Sequence, residues 1–373
     1  MRLLYFSPVP AASYAQRPHF MIRAWLDRGI ESVCWVEPYP SRLPNWRDVR
    51  RKPSANQGTS FDSRVEIVRV PALPIEPLPG GSLLNRWLLW RPVWQKLDQF
   101  ASAGPAVLGV GKPCRLAVEA LIRLPATFRF YDAMDDFPEF HWGISRASVR
   151  RQEIEIADRV DLIVASSTAL AEKFSSRGYV VERLLNAYPM TNLAVRKRRD
   201  GQRPVLGYIG CLGPWFDWPL VLELARQLPE VEFDLIGPCA VKPPRRRPNN
   251  VRLLPACRRQ EAAVHVSRFA AGLIPFRRTR LTDGVDPIKY YEYRAQGLSV
   301  LSTRFGEMAV RAGESGLFFL DPGQSAIAAA QAALRYRSSA DEVANFHRDH
   351  DWQARFKGAR LFAALDAPAR RAA

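Results

Sequence analysis

The clearest guide to the architecture of this chain is residues 205–218, which read Val205-Leu206-Gly207-Tyr208-Ile209-Gly210-Cys211-Leu212-Gly213-Pro214-Trp215-Phe216-Asp217-Trp218. The first five residues are mostly apolar and predict a buried strand. Gly210 and Gly213 follow, and glycine allows a tight turn whose backbone can approach a ligand closely. A helix is predicted from Trp218. The spacing is equally compatible with ordinary turn chemistry, so it indicates a strand–turn–helix unit and identifies no ligand by itself.

The same alternation continues on the C-terminal side of this unit. Short apolar runs predict strands at Glu232–Ile236, Val251–Leu254, Gly272–Pro275 and Leu298–Ser302. Helical patterns lie between them at Trp218–Leu228, Arg259–Phe269 and Pro287–Gln296. Strands that alternate with helices of about this length are typical of a parallel sheet with helices on both faces.

The N-terminal side shows the same rhythm. Strands are predicted at Arg2–Phe6, Glu31–Val36, Val65–Val70, Ala106–Val110, Thr127–Tyr131, Leu162–Ala165 and Val181–Leu185. A basic, polar run that includes Arg196–Arg199 then separates the two halves. We therefore predict an α/β protein with an N-terminal domain at 1–194, a linker at 195–204, a second domain at 205–349 and a C-terminal helix and tail at 350–373. We expect two doubly wound parallel sheets that face a cleft. Ligands of such sheets bind beyond the carboxyl ends of the strands, so the cleft would hold the binding site.

Length and composition narrow the class of protein. The 373 residues are 47% hydrophobic, which is enough to fill a core and excludes a mainly disordered chain. No uncharged apolar run reaches the roughly 18 residues that a membrane span needs. The N-terminus lacks a signal-peptide pattern, so we expect a cytoplasmic protein. The five cysteines form no C-x-x-C pair, which argues against a zinc ribbon or a disulfide framework.

The charge is the unusual feature of the composition. Lys and Arg total 54 and Asp and Glu total 37, a net charge of +17. Nucleic acid, an anionic membrane surface and phosphate-bearing small molecules are the partners that such a charge favours. Basic clusters such as Arg245–Arg247 are scattered along the chain, and no helix-turn-helix, zinc-finger or RNA-binding signature accompanies them. We therefore expect no nucleic-acid partner, although a basic nucleic-acid-binding protein stays as an alternative.

The most informative helix begins near Asp286. Asp286 can cap it, Pro287 suits its first position, and Gly297 can close it. Its free N–H groups would form a site for a diphosphate, with Lys289 one turn in to add a positive charge. Glu292 lies three residues further on the same face and could accept hydrogen bonds from ribose hydroxyls. The alternative is an ordinary capped helix with a Lys–Glu pair.

An aspartate-rich loop follows the strand at Thr127–Tyr131. Asp132, Asp135 and Asp136 come just past the end of that strand, where a reacting hydroxyl could be held. A carboxylate there could act as a general base, and we prefer Asp135 or Asp136 for this role, with Asp132 close behind. The alternative is a loop that only caps the next helix.

A tryptophan-rich segment could contact a membrane. Trp87, Trp90 and Trp94 recur at spacings of three and four, with Arg91 among them, so we expect one helical face despite Pro92. Aromatic rings and cations suit the interface of an anionic bilayer. A helix that packs its tryptophans on the sheet is the equally weighted alternative.

Together these stretches resemble the bacterial group 1, family 4-like glycosyltransferases of the GT-B fold. The resemblance spans nearly the whole chain and its order matches. The residues that carry it are Gln16-Arg17-Pro18-His19, Tyr131-Asp132 with Asp135-Asp136, Leu185-Asn186, the turn at Leu206–Trp218, Asp286-Pro287-Ile288-Lys289-Tyr290-Tyr291-Glu292-Tyr293 and Asp351-Trp352.

The resemblance implies transfer of a sugar from a nucleotide-sugar, with UDP as the preferred nucleotide, to a glycan acceptor in bacterial surface polysaccharide synthesis. The acceptor would be lipid-diphosphate-linked, and the enzyme would lie peripherally on the inner face of the membrane. By position, the donor side would include Gly210, Gly213, Asp286, Lys289, Tyr290 and Glu292. The acceptor side would include Arg17, His19 and Asn186.

Two departures from the family pattern make this a divergent member. The glutamate that family members often carry eight positions before the one matching Glu292 is Gly284 here. The Arg and Lys that usually follow the first strand of the second domain are replaced by Trp215, Phe216 and Asp217. The leaving diphosphate would then need charge from Lys289 or from the loop that contains Arg278, unless that loop is simply solvated.

We expect a mechanism without a metal or other cofactor. His347 and His350 could share a helical face and bind a metal, but the sequence supplies no evident third ligand. A nucleotide-sugar epimerase or hydrolase of the same fold is a further alternative to the transferase, because a fold does not fix the reaction.

Overall fold

The computed structural model describes residues 1–44, 62–190, 203–257, 259–321 and 324–366. The chain divides into two compact units. The first comprises Met1–Leu184 together with the C-terminal segment from Phe356, and the second comprises Leu185–Arg355. No helix in the described part of the chain has the length and apolar character needed to cross a bilayer.

The first unit contains a seven-stranded, fully parallel sheet. Its strands are β1 Arg2–Phe6, β2 Ser32–Val36, β3 Val65–Val68, β4 Ala106–Val110, β5 Phe128–Ala133, β6 Leu162–Ala165 and β7 Val181–Arg183. They are arranged in the order β3-β2-β1-β4-β5-β6-β7. The direction of the connections reverses between β1 and β4, and ligands of such sheets bind at this switch point, beyond the carboxyl ends of the strands.

Helices cover this sheet, whose inner strands β1, β4, β5 and β6 are largely buried. They are α1 Arg17–Asp27, α2 Gly81–Leu88, α3 Arg91–Ser102, α4 Arg115–Arg123, α5 Gly143–Ala157 and α6 Thr168–Ser175. Pro18 in the first turn of α1 sets the start of that helix, because its fixed φ suits a first helical turn. α1 buries Met21, Ile22 and Trp25, which is the apolar stripe expected of a helix that covers a sheet.

The second unit repeats the architecture with a six-stranded parallel sheet. Its strands are β8 Val205–Ile209, β9 Glu232–Ile236, β10 Val251–Leu254, β11 Ala271–Ile274, β12 Ser299–Ser302 and β13 Leu317–Phe319. The order is β10-β9-β8-β11-β12-β13, so the switch point lies between β8 and β11. The sequence predicts all of these strands except β13, which is only three residues long.

The helices of the second unit and the C-terminal segment complete the chain. They are α7 Trp218–Gln227, α8 Arg259–Ser267, α9 Arg280–Asp283, α10 Ile288–Ala295, α11 Gly306–Val310, α12 Gln324–Arg335, α13 Ala340–His350, α14 Trp352–Phe356 and α15 Ala363–Asp366. Asp351 caps α14, since its carboxylate accepts a hydrogen bond of 2.7 Å from the Gln353 amide.

The division of the chain differs from the boundaries that the sequence suggests. Residues from Leu185 belong to the second unit, where hydrogen bonds to residues distant in sequence hold them. The Tyr188 amide donates to the His350 carbonyl, and the Asn186 amide donates to the Asp286 carboxylate. Residues 195–202 of the predicted linker, with the cluster Arg196–Arg199, lie outside the described residues.

The tryptophan segment forms two helices, which corrects the expectation of one shared face. α2 ends at Leu88 and α3 begins at Arg91, with Pro92 in its first turn. Trp90 is fully buried at the junction, where its indole donates to the Pro71 carbonyl at 3.2 Å. Trp94 is buried in the core of the unit. Trp87 alone is 85% exposed, because the break at the junction turns it away from the other two rings.

Candidate functional site

Lys289 lies at the switch point of the second sheet. Its amine is 5.2 Å from the ring centre of Tyr208 on β8 and 5.9 Å from that of Phe276, which follows β11. No hydrogen bond or ion pair of this amine is formed within the described part of the chain. Burial lowers the pKa of Lys289, and the charge of Glu292 partly opposes that effect. A cation held by two rings and little else is ready to pair with an anion.

Gly210 is the residue that leaves room for this amine. Its φ is +143°, and a Cβ at this position would lie 2.6 Å from the Lys289 Nζ. Gly213 has a different reason to be glycine, since a Cβ there would lie 2.6 Å from the Trp215 ring. The two glycines of the G-x-x-G turn therefore avoid different steric clashes. Gly210 leaves room for the Lys289 amine, and Gly213 leaves room for the Trp215 ring.

Asp286 has a different place from the one that the sequence predicts. α10 begins at Ile288 with Pro287 as its N-cap, so the prediction that Asp286 caps this helix is wrong. The buried carboxylate pairs with Arg311 at 2.9 Å and accepts from the Tyr291 hydroxyl at 2.9 Å and the Asn186 amide at 2.7 Å. These partners occupy both oxygens. We therefore revise the donor-binding role of Asp286 to a structural one.

The other predicted donor residues lie along α10 and in the loop between β11 and α9. Tyr290 is buried and its hydroxyl donates to Glu314, so its side chain belongs to the core. Glu292 is half-buried one turn beyond Lys289. The side chain of Arg278 is 81% exposed and lies 4.0 Å from Asp283, which fits the solvated loop that was the alternative. Lys289 is thus the better placed of the two cations.

In the first unit, Arg17 and Asp132 form a buried ion pair. The Arg17 Nε donates to the Asp132 Oδ1 at 2.8 Å, and another guanidinium nitrogen of Arg17 donates to the Leu184 carbonyl at 2.7 Å. The Tyr5 hydroxyl is 3.4 Å from the second oxygen of Asp132. Asp132 is fully buried at the end of β5. A carboxylate held in this way orients its neighbours better than it accepts a proton from a substrate.

Asp135 and Asp136 have contrasting partners. The Lys173 amine donates to Asp136 at 2.9 Å and to Glu153 at 2.7 Å. The carboxylate of Asp135 makes neither an ion pair nor a hydrogen bond to any described residue. Burial raises the pKa of Asp135 to about 7, with further contributions from the charges of Asp132 and Asp136. Asp135 is therefore the member of the three that can exchange a proton near neutral pH.

His19 and Asn186 are engaged by backbone groups. The Nδ1 of His19 accepts from the Gln16 amide at 3.2 Å, and its Nε2 lies 3.2 Å from the Ala11 carbonyl. Burial lowers the pKa of His19, so the ring is neutral and holds the loop before α1. Asn186 lies in the second unit, bonded to Asp286, whereas the sequence places it with the first domain. Arg17 and His19 remain together at the start of α1.

His347 and His350 are also held by neighbours. The His347 Nε2 lies 2.6 Å from the Ala295 carbonyl, and the His350 Nδ1 lies 3.1 Å from an Arg355 nitrogen. Within the ranges that the structure describes, no three His, Cys, Asp or Glu side chains group closely enough to hold a metal ion.

Three basic residues of functional interest escape sequence reasoning. Lys173 pairs with Asp136, Arg311 pairs with Asp286, and Lys112 lies just beyond β4. Neither Lys173 nor Arg311 belongs to a recognisable motif, and their partners are distant in sequence. Lys112 could have been found by inspecting the residue types that follow each predicted strand.

Comparisons with known proteins bear on the fold of the chain. No protein-family model matches the chain. TuaH of Bacillus subtilis strain 168, whose assignment as a teichuronic acid biosynthesis glycosyltransferase is provisional, is 28% identical over 177 residues. This match covers 42% of the present chain and 44% of TuaH, so the chain spans less than half of its curated relative.

Solved structures match over almost the full length. HepE of Anabaena, in complex with UDP and glucose, is 15% identical with a TM-score of 0.61, over 99% of this chain and 100% of HepE. The lipopolysaccharide outer core galactosyltransferase WaaB is 10% identical with a TM-score of 0.63, over 98% and 99% of the two chains. Trehalose 6-phosphate synthase of Burkholderia multivorans is 13% identical with a TM-score of 0.62, over 98% of each. With its two parallel-sheet units, this chain has the GT-B fold of two Rossmann-like domains.

Proposed function

We propose that the chain is a glycosyltransferase that moves a sugar from a nucleoside-diphosphate sugar, preferably a UDP-sugar, to an acceptor hydroxyl. The observation that carries the proposal is the Lys289 amine, which lies at the switch point of the second sheet against Tyr208 and Phe276. The GT-B neighbours support it at the level of fold, and HepE binds UDP and glucose. The curated relative supports the same reaction class.

The donor diphosphate would bind at Lys289 and the first turn of α10. A diphosphate would supply the anion that the amine lacks, and its charge would raise the pKa of Lys289 toward the ordinary value. The helix N-terminus adds backbone N–H donors. In this proposal the charge that develops on the leaving diphosphate is stabilised by Lys289 and these N–H groups rather than by a bound metal ion. Glu292, one turn further, would accept hydrogen bonds from the ribose.

Asp135 would be the base that takes the proton of the acceptor hydroxyl. It follows β5 at the carboxyl edge of the first sheet, where ligands of this architecture bind. Its pKa, raised to about 7, suits a group that must take up and release a proton near neutral pH. Lys173 would hold the neighbouring Asp136 in place, and Arg17 would do the same for Asp132.

We further propose that the acceptor is lipid-linked and that the transfer belongs to surface polysaccharide synthesis. TuaH is named for teichuronic acid biosynthesis, and WaaB is named as a lipopolysaccharide outer core galactosyltransferase. The membrane contact would be the exposed face of α2, formed by Leu83, Leu84, Trp87 and Leu88 with the exposed Arg86 beside them. Apolar side chains flanked by cations favour an anionic bilayer surface, and this face replaces Trp90 and Trp94 in that role.

The reaction is tested with a panel of nucleotide-sugars and a lipid-diphosphate-linked N-acetylglucosamine as the trial acceptor. We expect nucleotide release that requires both substrates. Lys289→Met should lower the rate by about a hundredfold or more, as loss of a group that stabilises transition-state charge does. Lys242→Met removes an exposed lysine of the same unit and should leave the rate unchanged.

The alternatives give different results in this assay. Release that is independent of acceptor indicates a hydrolase, and interconversion of the donor sugar indicates an epimerase. If Lys289→Met releases nucleotide as fast as the unaltered chain, the donor site is assigned wrongly.

A further inference from the structure

The turn between β8 and α7 carries two aromatic side chains and an aspartate where the family pattern has a basic pair. Phe216 is buried, and its ring packs edge-on against the Tyr208 ring with 5.0 Å between the centres. The Asp217 carboxylate accepts from the Leu220 amide at 3.3 Å and so caps α7. Both side chains therefore serve the fold of the unit. Trp215 is half-buried, and part of its indole ring is open to solvent.

Main-chain hydrogen bonds fix the position of Trp215. Its carbonyl accepts from the Arg277 amide at 2.7 Å, and the Phe216 amide closes the turn by donating to the Gly213 carbonyl at 3.1 Å. The indole lies against the backbone of Gly213, where a Cβ would be 2.6 Å from the ring. The indole N–H donates to no residue in the described ranges. A ring that is already ordered in this way loses little conformational entropy when a ligand packs on it.

The Phe276 ring connects this indole to the proposed donor site. Its centre is 6.4 Å from that of the Trp215 ring and 5.9 Å from the Lys289 amine. Trp215 follows β8 and Phe276 follows β11, so both rings lie at the carboxyl ends of the two strands that form the switch point. The sugar attached to a diphosphate at Lys289 is therefore within reach of the indole.

The ribose side of the proposed site lies in the opposite direction along the sheet. Burial raises the pKa of the Cys257 thiol, and the charges of Glu261 and Glu292 raise it further, which puts Glu292 near the residues that follow β10. The main chain of Trp215 is bonded instead to the segment after β11. In the sheet order β10-β9-β8-β11, these two places lie on either side of β8. A donor with its ribose at Glu292 thus has its sugar on the side of Trp215.

The loop before α10 does not replace this contact with an acidic one. Gly284, where family members often carry a glutamate, is buried and has no side chain to offer. Asp283 is half-exposed and lies 4.0 Å from Arg278. Position 284 therefore supplies no carboxylate for the sugar hydroxyls. An indole combines an apolar face, on which C–H groups pack, with an N–H that donates a hydrogen bond.

We propose that Trp215 determines the specificity for the donor sugar: its ring packs on the C–H face of the sugar, and its N–H donates to a sugar hydroxyl. This proposal rests on the proposed function, because it requires the diphosphate at Lys289. It also names the class of sugar. The face of an aromatic ring carries partial negative charge, so a neutral pyranose suits this indole better than a uronic acid, whose carboxylate is negative.

The test compares the affinities of the full-length chain for UDP, UDP-glucose, UDP-galactose, UDP-N-acetylglucosamine and UDP-glucuronate, measured by calorimetry. For the neutral UDP-sugar that binds best, Trp215→Ala should weaken binding at least fivefold. UDP affinity should change less than twofold, because UDP carries no sugar. Trp215→Phe keeps a ring and should restore most of the loss. UDP-glucuronate should bind the unaltered chain at least fivefold more weakly than that neutral UDP-sugar does.

A control and a spectroscopic signal accompany these measurements. Trp142→Ala removes an indole that is 78% exposed in the first unit, and it should change neither affinity. The difference in fluorescence between the unaltered chain and Trp215→Phe reports on Trp215 alone among the 10 tryptophans. This difference should shift to shorter wavelength when the neutral UDP-sugar is added and should stay in place with UDP.

Three results would overturn the proposal. The first is a Trp215→Ala variant that binds the neutral UDP-sugar as tightly as the unaltered chain does. The second is an equal loss of affinity for UDP and the UDP-sugar, since Trp215 would then only shape the turn. The third is tighter binding of UDP-glucuronate than of every neutral UDP-sugar.

Failure of the proposed function gives a different pattern. Lys289→Met should weaken UDP binding, and unchanged UDP affinity in that variant would contradict the donor site itself. A loss of UDP binding in Lys289→Met with no effect of Trp215→Ala would contradict only the sugar contact. An unaltered chain that binds neither UDP nor any of the UDP-sugars would contradict both proposals.

Discussion

The charge state of Asp135 depends on its surroundings rather than on a partner. Burial is the main reason that its pKa reaches about 7, and the carboxylates of Asp132 and Asp136 add to the effect. The sequence shows three aspartates together and favours Asp135 or Asp136 over Asp132. It cannot choose between Asp135 and Asp136, because that choice depends on which carboxylate pairs with a cation. Arg17 and Lys173, which neutralise the other two, are distant along the chain.

The pH dependence of transfer follows from this pKa. A base must be ionised, so the rate should rise with pH up to about 7 and fall about tenfold per pH unit below it. Asp136→Asn removes a negative neighbour that raises the pKa, so the inflection should move to lower pH. Asp98→Asn, which alters a half-exposed aspartate of the same unit, should leave the inflection in place. A profile without an inflection near neutrality in the unaltered chain would remove Asp135 as the base.

The same pKa predicts a cost in stability. The folded pKa lies above the unfolded one, so the contribution of Asp135 to stability is full at low pH and is lost as pH rises through about 7. Asp135→Asn should therefore abolish transfer and raise the free energy of unfolding at pH 8. Denaturant unfolding at pH 5 and pH 8 checks this. An equal change at both pH values would show that Asp135 does not titrate as described.

At the scale of elements, a buried hydrogen-bond network at the start of α10 positions that helix. Asp286, Arg311 and Tyr291 bond to one another, and the Asn186 amide adds a contact from the start of the second unit. The sequence correctly predicts a helix in this segment but begins it one residue early, at Pro287 with Asp286 as its cap. It does not predict the network, because Arg311 lies in a separate element with no recognisable pattern.

Breaking this network from one side should be costly. Arg311→Met leaves the buried Asp286 carboxylate without its cation, and we expect the free energy of unfolding to fall by about 3–5 kcal/mol. The double change Arg311→Met with Asp286→Asn should cost less than the sum of the single changes. Arg304→Gln, which breaks the exposed pair with Asp321, should cost about 0–1 kcal/mol. Denaturant titrations measure all of these. Additive single and double changes would contradict the coupling.

Substitutions in the two helices of the tryptophan segment should affect membrane binding and stability separately. Trp87→Ala alters an exposed ring and should weaken co-sedimentation with phosphatidylglycerol vesicles without changing the melting temperature. Trp94→Ala removes a ring from the core and should cost about 3–5 kcal/mol of stability. Equal sedimentation of Trp87→Ala and the unaltered chain, or no dependence on anionic lipid, would end the membrane proposal.

At the scale of the whole molecule, the alternation of strands and helices was sufficient to predict both sheets. Several strands, including β1, β4, β6, β8 and β9, have the predicted limits, because buried parallel strands are continuous apolar runs. The prediction that the three tryptophans share one helical face is wrong, because the chain breaks between α2 and α3 just before Pro92 and the spacing alone does not show that break. The membership of residues 185–190 depends on hydrogen bonds to distant residues, which spacing does not reveal.

The proposed function depends on binding of a nucleoside diphosphate at Lys289. A crystal structure with UDP tests this binding most directly. We expect a diphosphate oxygen about 3 Å from the Lys289 amine and the ribose hydroxyls within hydrogen-bond reach of Glu292. The proposed donor site is contradicted if UDP binds away from α10, or if its phosphates make no contact with the Lys289 amine and that amine stays against the Tyr208 ring.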